Sequence, residues 1–114
     1  MSSTQYQKIW DIIIKVPKGS ISSYGRIADM AGLPRRARLV GSALKDAPKD
    51  MKLPWHRILN ADGRIAFPAD SRLYKLQKER LMAEGIIVNN GRVDLKKYLW
   101  QQDNLDALLW DPED

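Results

Sequence analysis

The chain has 114 residues, the length of one domain, and its 44% apolar and 29% charged residues are typical of a soluble globular protein. No apolar run approaches ~18 residues, so no membrane span is expected. The sequence has no cysteine and one histidine, His56, which excludes disulfides, thiolate nucleophiles, iron–sulfur clusters, cysteine-ligated zinc and histidine-rich metal sites. The N-terminus lacks the pattern of a signal peptide, and we expect a cytoplasmic protein that uses no cofactor.

Charge is distributed unevenly along the chain. All 19 Lys and Arg residues lie within residues 1–100 together with nine acids, which gives this part a net charge of +10. Residues 101–114 contain five acids and no base, a net charge of −5. A basic body of this kind is what binding to a phosphate backbone needs, although lysines on a solvated surface give the same count. We therefore expect one basic domain over residues 1–100 and an acidic tail over residues 101–114.

Apolar residues at helical spacing predict the helices. The first begins at Ser2 or Ser3, includes apolar residues as far as Val16 and is stopped by the Pro-Lys-Gly sequence at 17–19. A second helix follows Ser23 and ends at Gly32, and a third covers roughly residues 35–45. Two short helices around a tight turn that contains glycine predict a helix-turn-helix. A further helix is expected from residue 70 or 71 to residue 85.

Two short hairpins are expected around turn sequences. In the first, residues 58–59 and 65–67 flank an Asp-Gly turn. In the second, residues 86–88 and 93–95 flank Asn-Asn-Gly at 89–91. A hairpin after a helix-turn-helix is the outline of a winged helix. The predicted fold class is therefore α+β and mostly α, a winged helix-turn-helix domain with a small β-hairpin wing.

Three sequence blocks give the most specific signal. They are Ser-Tyr-Gly-Arg-Ile-Ala at 23–28, Pro-Arg-Arg-Ala-Arg-Leu-Val-Gly at 34–41 and Leu-Pro-Trp-His-Arg-Ile-Leu-Asn at 53–60. In this order and spacing they resemble the DNA-binding domain of O6-alkylguanine-DNA alkyltransferases, and the resemblance extends over about residues 9–100. In that family the third block contains a cysteine that takes the alkyl group from guanine and that a histidine and a glutamate activate. Here Trp55 stands at the cysteine position.

The tryptophan changes the class of function that the resemblance implies. Alkyl transfer needs a thiolate, and an indole ring is not a usable nucleophile near neutral pH. Tryptophan at this position is the signature of alkyltransferase-like proteins. The resemblance therefore implies a non-enzymatic damage sensor that binds O6-alkylguanine in duplex DNA, flips the nucleotide into a pocket and passes the lesion to nucleotide excision repair proteins. It implies a monomer, associated with the nucleoid if the source is a bacterium.

The resemblance also implies the roles of single residues. Tyr24 matches the tyrosine that rotates the nucleotide out of the duplex, and Arg38 matches the arginine that takes the place of the extruded base. The expected DNA-binding residues are Tyr24, Arg38, Arg35, Arg36, Ser23 and Ala37. The expected lesion pocket consists of Trp55, Tyr24, Pro54, Phe67 and Pro68. No residue is catalytic, since His56 and Glu84 are left without a thiol to activate, and Arg57 is expected to brace the loop.

Two departures and two alternatives remain open at this point. Ala47 stands where many alkyltransferases have an asparagine, so one hydrogen bond of the pocket is expected to be missing. Pro68 lies nearest to the position at which some alkyltransferase-like proteins have an arginine. The same helix pair and hairpin would also suit a winged-helix regulator that reads a DNA sequence in the major groove as a dimer. A packing domain with solvated charged faces is the remaining alternative.

Overall fold

The computed structural model describes residues 2–101, and side chains from Thr4 onward. Residues 102–114, nearly all of the predicted acidic tail, lie outside the described residues. The elements in chain order are α1 (Ser2–Ile13), β1 (Ser22–Ser23), α2 (Tyr24–Met30), α3 (Ala37–Asp46), β2 (Ile58–Leu59), α4 (Arg72–Ala83), β3 (Val88–Asn89), β4 (Arg92–Val93) and α5 (Leu95–Tyr98). Two 3₁₀ turns, Lys49–Met51 and Trp55–Arg57, lie between α3 and β2. The domain is mostly helical with short strands, as predicted.

The core is formed by two clusters of apolar side chains. The first joins α1, α2 and α3 and contains Ile9, Ile13, Val16, Ile27, Ala28, Ala31, Val40, Ala43 and Ile58. The second lies between α4 and the C-terminal hairpin and contains Ile21, Leu59, Ile65, Leu81, Ile86 and Val93. Trp10 also ties α1 to α3, because its indole Nε1 donates to the carbonyl oxygen of Ala43 at 2.8 Å. None of the helices in residues 2–101 is long and apolar enough to cross a membrane.

The helices begin and end close to the predicted residues, with differences at α3 and α1. Ser23 caps α2, since its hydroxyl accepts a hydrogen bond from the Arg26 amide at 3.2 Å, and Gly32 after α2 is left-handed with φ of +78°. The predicted start of α3 at Arg35 is wrong by two residues. Arg35 has φ of +67°, which is incompatible with a right-handed helix, so α3 begins only at Ala37. The sequence predicted apolar helix positions as far as Val16, but α1 ends at Ile13 and residues 14–16 form a turn.

The predicted first hairpin is wrong. Strand β2 pairs in parallel with β1, with Ser22 opposite Ile58 and Ser23 opposite Leu59. The expected turn after β2 does form, and the Asn60 amide donates to the Arg64 oxygen at 2.9 Å, but Ile65 then donates to the Gly91 oxygen of the C-terminal hairpin. Ile58 and Leu59 are both fully buried, and parallel pairing inside the domain covers both where an exposed hairpin would cover one.

The second predicted hairpin is confirmed, with strands shortened to residues 88–89 and 92–93. Its turn residues Asn90 and Gly91 both have positive φ, at +51° and +76°. This is the requirement of a tight two-residue hairpin turn, which explains the Asn-Gly sequence. Any other residue at position 91 would be strained by this φ, and its Cβ would lie 2.7 Å from the Tyr74 hydroxyl unless that side chain moved. The hairpin follows the helix pair in the chain, as the wing of a winged helix does. The winged-helix arrangement itself stays a prediction.

The carboxylate of Glu84, just after α4, connects three distant segments. Its oxygens accept hydrogen bonds from the Arg57 guanidinium, the shortest at 2.7 Å, and from the Gly19 amide at 3.0 Å. His56 Nε2 lies 2.7 Å from the same carboxylate. Arg57 reaches further, because its Nη1 donates to the Val16 oxygen at 2.8 Å. The turn 55–57 is thereby held against both the end of α1 and the end of α4.

These contacts keep Glu84 ionised. Burial acts to raise the pKa of Glu84, but the hydrogen bonds from Arg57, Gly19 and His56 outweigh it and lower this pKa from 4.5 to about 2. A carboxylate whose pKa is depressed in the folded state stabilises the protein above its unfolded pKa. This stabilisation is lost as the pH falls from about 4.5 to about 2.

We predict that Glu84→Gln lowers the free energy of unfolding at pH 7 by about 3 kcal/mol, because Arg57 loses its charged partner in a site that is largely buried. Between pH 5 and pH 2 the parent protein should lose about 2 kcal/mol more stability than this variant, which has no carboxylate at position 84 to protonate. Urea unfolding across this pH range measures both effects. Glu79→Gln, an exposed position on α4, is the matched control and should leave both quantities nearly unchanged. Equal pH dependence for Glu84→Gln and the parent would contradict the assignment.

Candidate nucleic-acid interface

A basic edge is formed where α3 begins. Arg35, Arg36 and Arg38 are exposed there, and within residues 2–101 none of the three is in an ion pair. Together with Ala37, Leu39 and Ser42 they line a shallow hollow to which no acidic side chain of the described part of the chain contributes. Free guanidinium groups at the start of an exposed helix are suited to phosphate oxygens. The structure thus places four of the six expected DNA-binding residues on one surface.

Ser23 lies apart from this surface. Its side chain is only 4% exposed, and its hydroxyl already caps α2. The structure gives it a local role in forming the helix that begins with Tyr24. A contact between Ser23 and DNA stays a prediction.

An apolar cavity of about 500 Å³ lies beside the basic edge. It is lined by Tyr24, Gly41, Leu44, Lys45, Trp55, Phe67 and Leu73, and we call it the apolar cavity. Gly41 and Lys45 follow Arg38 by three and seven residues on α3, so they lie on the same face of that helix. The Trp55 and Phe67 rings meet edge to face, with centroids 6.1 Å apart. An opening with aromatic walls is suited to a planar ring system.

Tyr24 is the first residue of α2 and is half-buried against the first core cluster. Burial raises the pKa of its phenol above the ordinary value of 10.0, so the hydroxyl is neutral and able to donate near pH 7. Its ring therefore packs in the core and lines the apolar cavity at the same time.

Trp55 separates the apolar cavity from a second one. The second cavity, of about 770 Å³, is lined by Ile14, Leu44, Lys45, Ala47, Pro48, Lys49, Lys52, Leu53, Pro54, Trp55, His56, Arg57 and Arg80, and we call it the basic cavity. The indole ring also meets His56 edge to face at 6.3 Å, and the Arg80 guanidinium lies 5.5 Å from its centroid. Of the expected pocket residues, Pro54 lines only the basic cavity, and Pro68 is exposed and lines neither.

His56 and Glu84 form the pair that the resemblance implied, but next to an indole ring. Burial lowers the pKa of His56 and outweighs the opposing effect of Glu84, so the ring is neutral near pH 7. Nδ1 is buried and has no hydrogen-bond partner within residues 2–101. No side chain in the sequence offers this pair a thiol, and among the described residues no three His, Asp or Glu side chains lie close enough to hold a metal ion.

Sequence reasoning missed several residues of the two cavities. Gly41 and Lys45 continue the helical face of Arg38, and Leu44 follows Gly41 by three residues, so the period of α3 could have indicated them. Leu73 and Arg80 lie on α4, whose predominantly polar sequence gives no sign of which side meets Trp55. Leu73 and Arg80 reach Trp55 only because α4 packs onto the domain with Gln77 and Leu81 buried.

Comparison with known proteins gives consistent matches. The family model described as the DNA-binding domain of 6-O-methylguanine DNA methyltransferase matches residues 4–86. The DNA base-flipping protein of Vibrio parahaemolyticus is 46% identical over 95 residues, covering 82% of this chain and 93% of the relative. The DNA base-flipping protein of Escherichia coli K12 is 40% identical over 95 residues, covering 82% of this chain and 72% of the relative.

A solved structure agrees with these sequence matches. Schizosaccharomyces pombe Atl1, in complex with damaged DNA containing O6-carboxymethylguanine, superimposes with a TM-score of 0.78 at 34% identity, and the match covers 87% of this chain and 96% of that one. The alkyltransferase-like protein 1 of the same yeast is 35% identical over 101 residues, which cover 84% of this chain and 94% of the relative. The chain therefore belongs to the alkyltransferase-like proteins, which share the DNA-binding domain of the 6-O-methylguanine DNA methyltransferases.

Proposed function

We propose that this protein binds O6-alkylguanine in duplex DNA by flipping the damaged nucleotide into the apolar cavity, and that it does so without alkyl transfer. One observation carries the proposal: Trp55 forms a wall of an aromatic cavity that opens on the same face of α3 as Arg38. A flipped base needs an enclosed site with aromatic walls, and the duplex needs a side chain to fill the gap. The two requirements meet on one surface.

The relatives support this proposal. Two are named DNA base-flipping proteins, and the superimposed Atl1 structure holds DNA with an O6-substituted guanine. Tyr24 and Arg38 stand at the positions that the family resemblance associates with flipping. Extrusion of a base costs a few kcal/mol, and less for a weakened O6-alkylguanine pair, so selectivity for damage arises in part from the lesion itself.

The absence of alkyl transfer follows from the chemistry of Trp55. Its indole has no ionisable nucleophile near pH 7, and the sequence contains no cysteine that could act in its place. The protein is therefore a sensor and not an enzyme. Because it would leave the lesion in place, we propose that a monomer in the cytoplasm, or on the nucleoid of a bacterium, hands the lesion to nucleotide excision repair proteins.

Binding to a single lesion tests the central proposal. In fluorescence anisotropy, a short duplex with one O6-methylguanine should bind at least about tenfold more tightly than the same duplex with guanine, about 1.4 kcal/mol. If ~4 to 6 phosphates are contacted, log affinity should fall with log salt with a slope of roughly −4 to −5. Equal affinities with equal salt slopes would refute lesion recognition and favour a winged-helix regulator.

Variants of the two flipping residues test the mechanism. Arg38→Ala should weaken lesion binding by about tenfold or more, because nothing then fills the gap in the stack. Tyr24→Ala should do the same, while Tyr24→Phe, which keeps the ring, reports on the hydroxyl alone. Circular dichroism and thermal unfolding check the fold, and Lys8→Ala on the exposed side of α1 is the control for loss of one positive charge. Unchanged affinities for both alanine variants would contradict flipping.

We further predict that Trp55→Cys transfers little or no alkyl group. The variant regains a sulfur beside His56, but Ala47 presents only a methyl group to the same cavity where the resemblance expects an asparagine. The site then lacks a hydrogen bond that would help to stabilise a thiolate. Intact-protein mass spectrometry after incubation with O6-methylguanine duplex measures transfer. Stoichiometric addition of one methyl group would contradict this prediction.

A further inference from the structure

The basic cavity adjoins the apolar cavity and has a different chemical character. Leu44, Lys45 and Trp55 line both cavities, so the two meet at the indole ring. A group that extends past Trp55 from the apolar cavity therefore enters surroundings with several cationic side chains. Among the residues that the structure describes, no carboxylate lines the basic cavity.

Four of the cations around this cavity are uncompensated. Arg57 is neutralised by Glu84, and His56 is uncharged near pH 7 because burial lowers its pKa. The remaining cations are Lys45, Lys49, Lys52 and Arg80, which are exposed and in no ion pair within residues 2–101.

The acidic residues of the same stretch are not part of the cavity wall. Asp46 and Asp50 are adjacent in sequence to the lining lysines, but neither lines the basic cavity. The Asp46 carboxylate instead accepts a hydrogen bond from the Tyr6 hydroxyl of α1 at 3.4 Å. The four uncompensated cations outnumber these two carboxylates, so the surroundings of the cavity are net positive.

Arg80 is the best placed of these cations. Its guanidinium lies over the Trp55 ring, 5.5 Å from the centroid, so the wall shared by the two cavities orients the charge. Within residues 2–101 it makes no hydrogen bond, which leaves its planar donor groups available to a carboxylate. Lys45 lies on the same shared wall and adds a second cation.

We propose that the basic cavity receives O6 substituents that carry a carboxylate, and that Arg80 is the residue that favours this anionic class of lesion over neutral lesions of equal size. This inference rests on the proposed function, because the guanine ring must occupy the apolar cavity for its substituent to pass Trp55. A methyl substituent offers these cations no charge. A substituent that ends in a carboxylate offers an anion to Arg80 and Lys45 at the wall that the two cavities share.

A matched pair of lesions tests the inference in the full chain. O6-carboxymethylguanine and O6-carbamoylmethylguanine have the same number of heavy atoms, but the first is an anion and the second a neutral amide. In one duplex sequence, the anionic lesion should bind about fivefold more tightly than the amide, the scale of an exposed ion pair. The ratio should decrease as salt is raised, because salt screens exposed charges.

Variants on α4 assign the effect to Arg80. Arg80→Gln should remove most of the preference and leave only the small part that Lys45 supplies, whereas Arg80→Lys should retain most of it. Lys78→Gln removes the same charge from the same helix at an exposed position that lines neither cavity, and should leave the ratio unchanged. A ratio of affinities is insensitive to a general loss of DNA binding, and thermal unfolding verifies the fold of each variant.

The outcomes separate this inference from the proposed function. Equal affinity of the parent protein for the anionic and the neutral lesion overturns the inference, while a preference for O6-methylguanine over guanine in the same titrations leaves the proposed function standing. A ratio that persists in Arg80→Gln overturns the role of Arg80. If O6-methylguanine and guanine bind equally, the proposed function fails and this inference fails with it.

Discussion

The site depends on the hydrogen bonds and ion pair of the largely buried Glu84 carboxylate. It joins the turn that holds Trp55 to the end of α4 and, through Gly19, to the chain that leaves α1. A buried charge is unfavourable unless it is paired and hydrogen-bonded, so the fold is most stable when Arg57 and His56 occupy their places. The same contacts that keep the pKa of Glu84 low therefore determine where the indole ring lies.

Under the proposed function, this arrangement separates binding of the flipped base from chemical reaction with it. The family resemblance associates the His56–Glu84 pair with activation of a cysteine. In this chain the pair holds the turn of Trp55 to the end of α4, and its neighbour is an indole ring. The replacement puts an aromatic wall between an apolar and a basic cavity. Tryptophan at this one position thus removes a nucleophile and shapes the two cavities, while the hydrogen bonds among His56, Arg57 and Glu84 are in place.

Much of the fold could be predicted from local sequence. The spacing of Ile9 and Ile13, the Ser23 cap and the Asn-Gly turn each have a physical cause that acts over a few residues. The pairing of β1 with β2 could not be predicted this way. These strands are two residues long and lie more than thirty residues apart in the chain, so neither periodicity nor turn chemistry indicates that they meet. Burial of both Ile58 and Leu59 decided it.

The same distinction between local sequence and tertiary packing applies to the candidate site. The sequence by itself determined which chemistry is absent, because a chain without cysteine cannot form the thiolate that alkyl transfer requires. Through its resemblance, it also indicated Tyr24, Arg38 and Trp55. Only the tertiary structure decided that Ser23 is buried, that Pro68 lies outside the cavity wall and that Arg80 stacks on Trp55. The reason is physical: residue type sets what a side chain can do, whereas its neighbours come from segments that meet only when the chain packs.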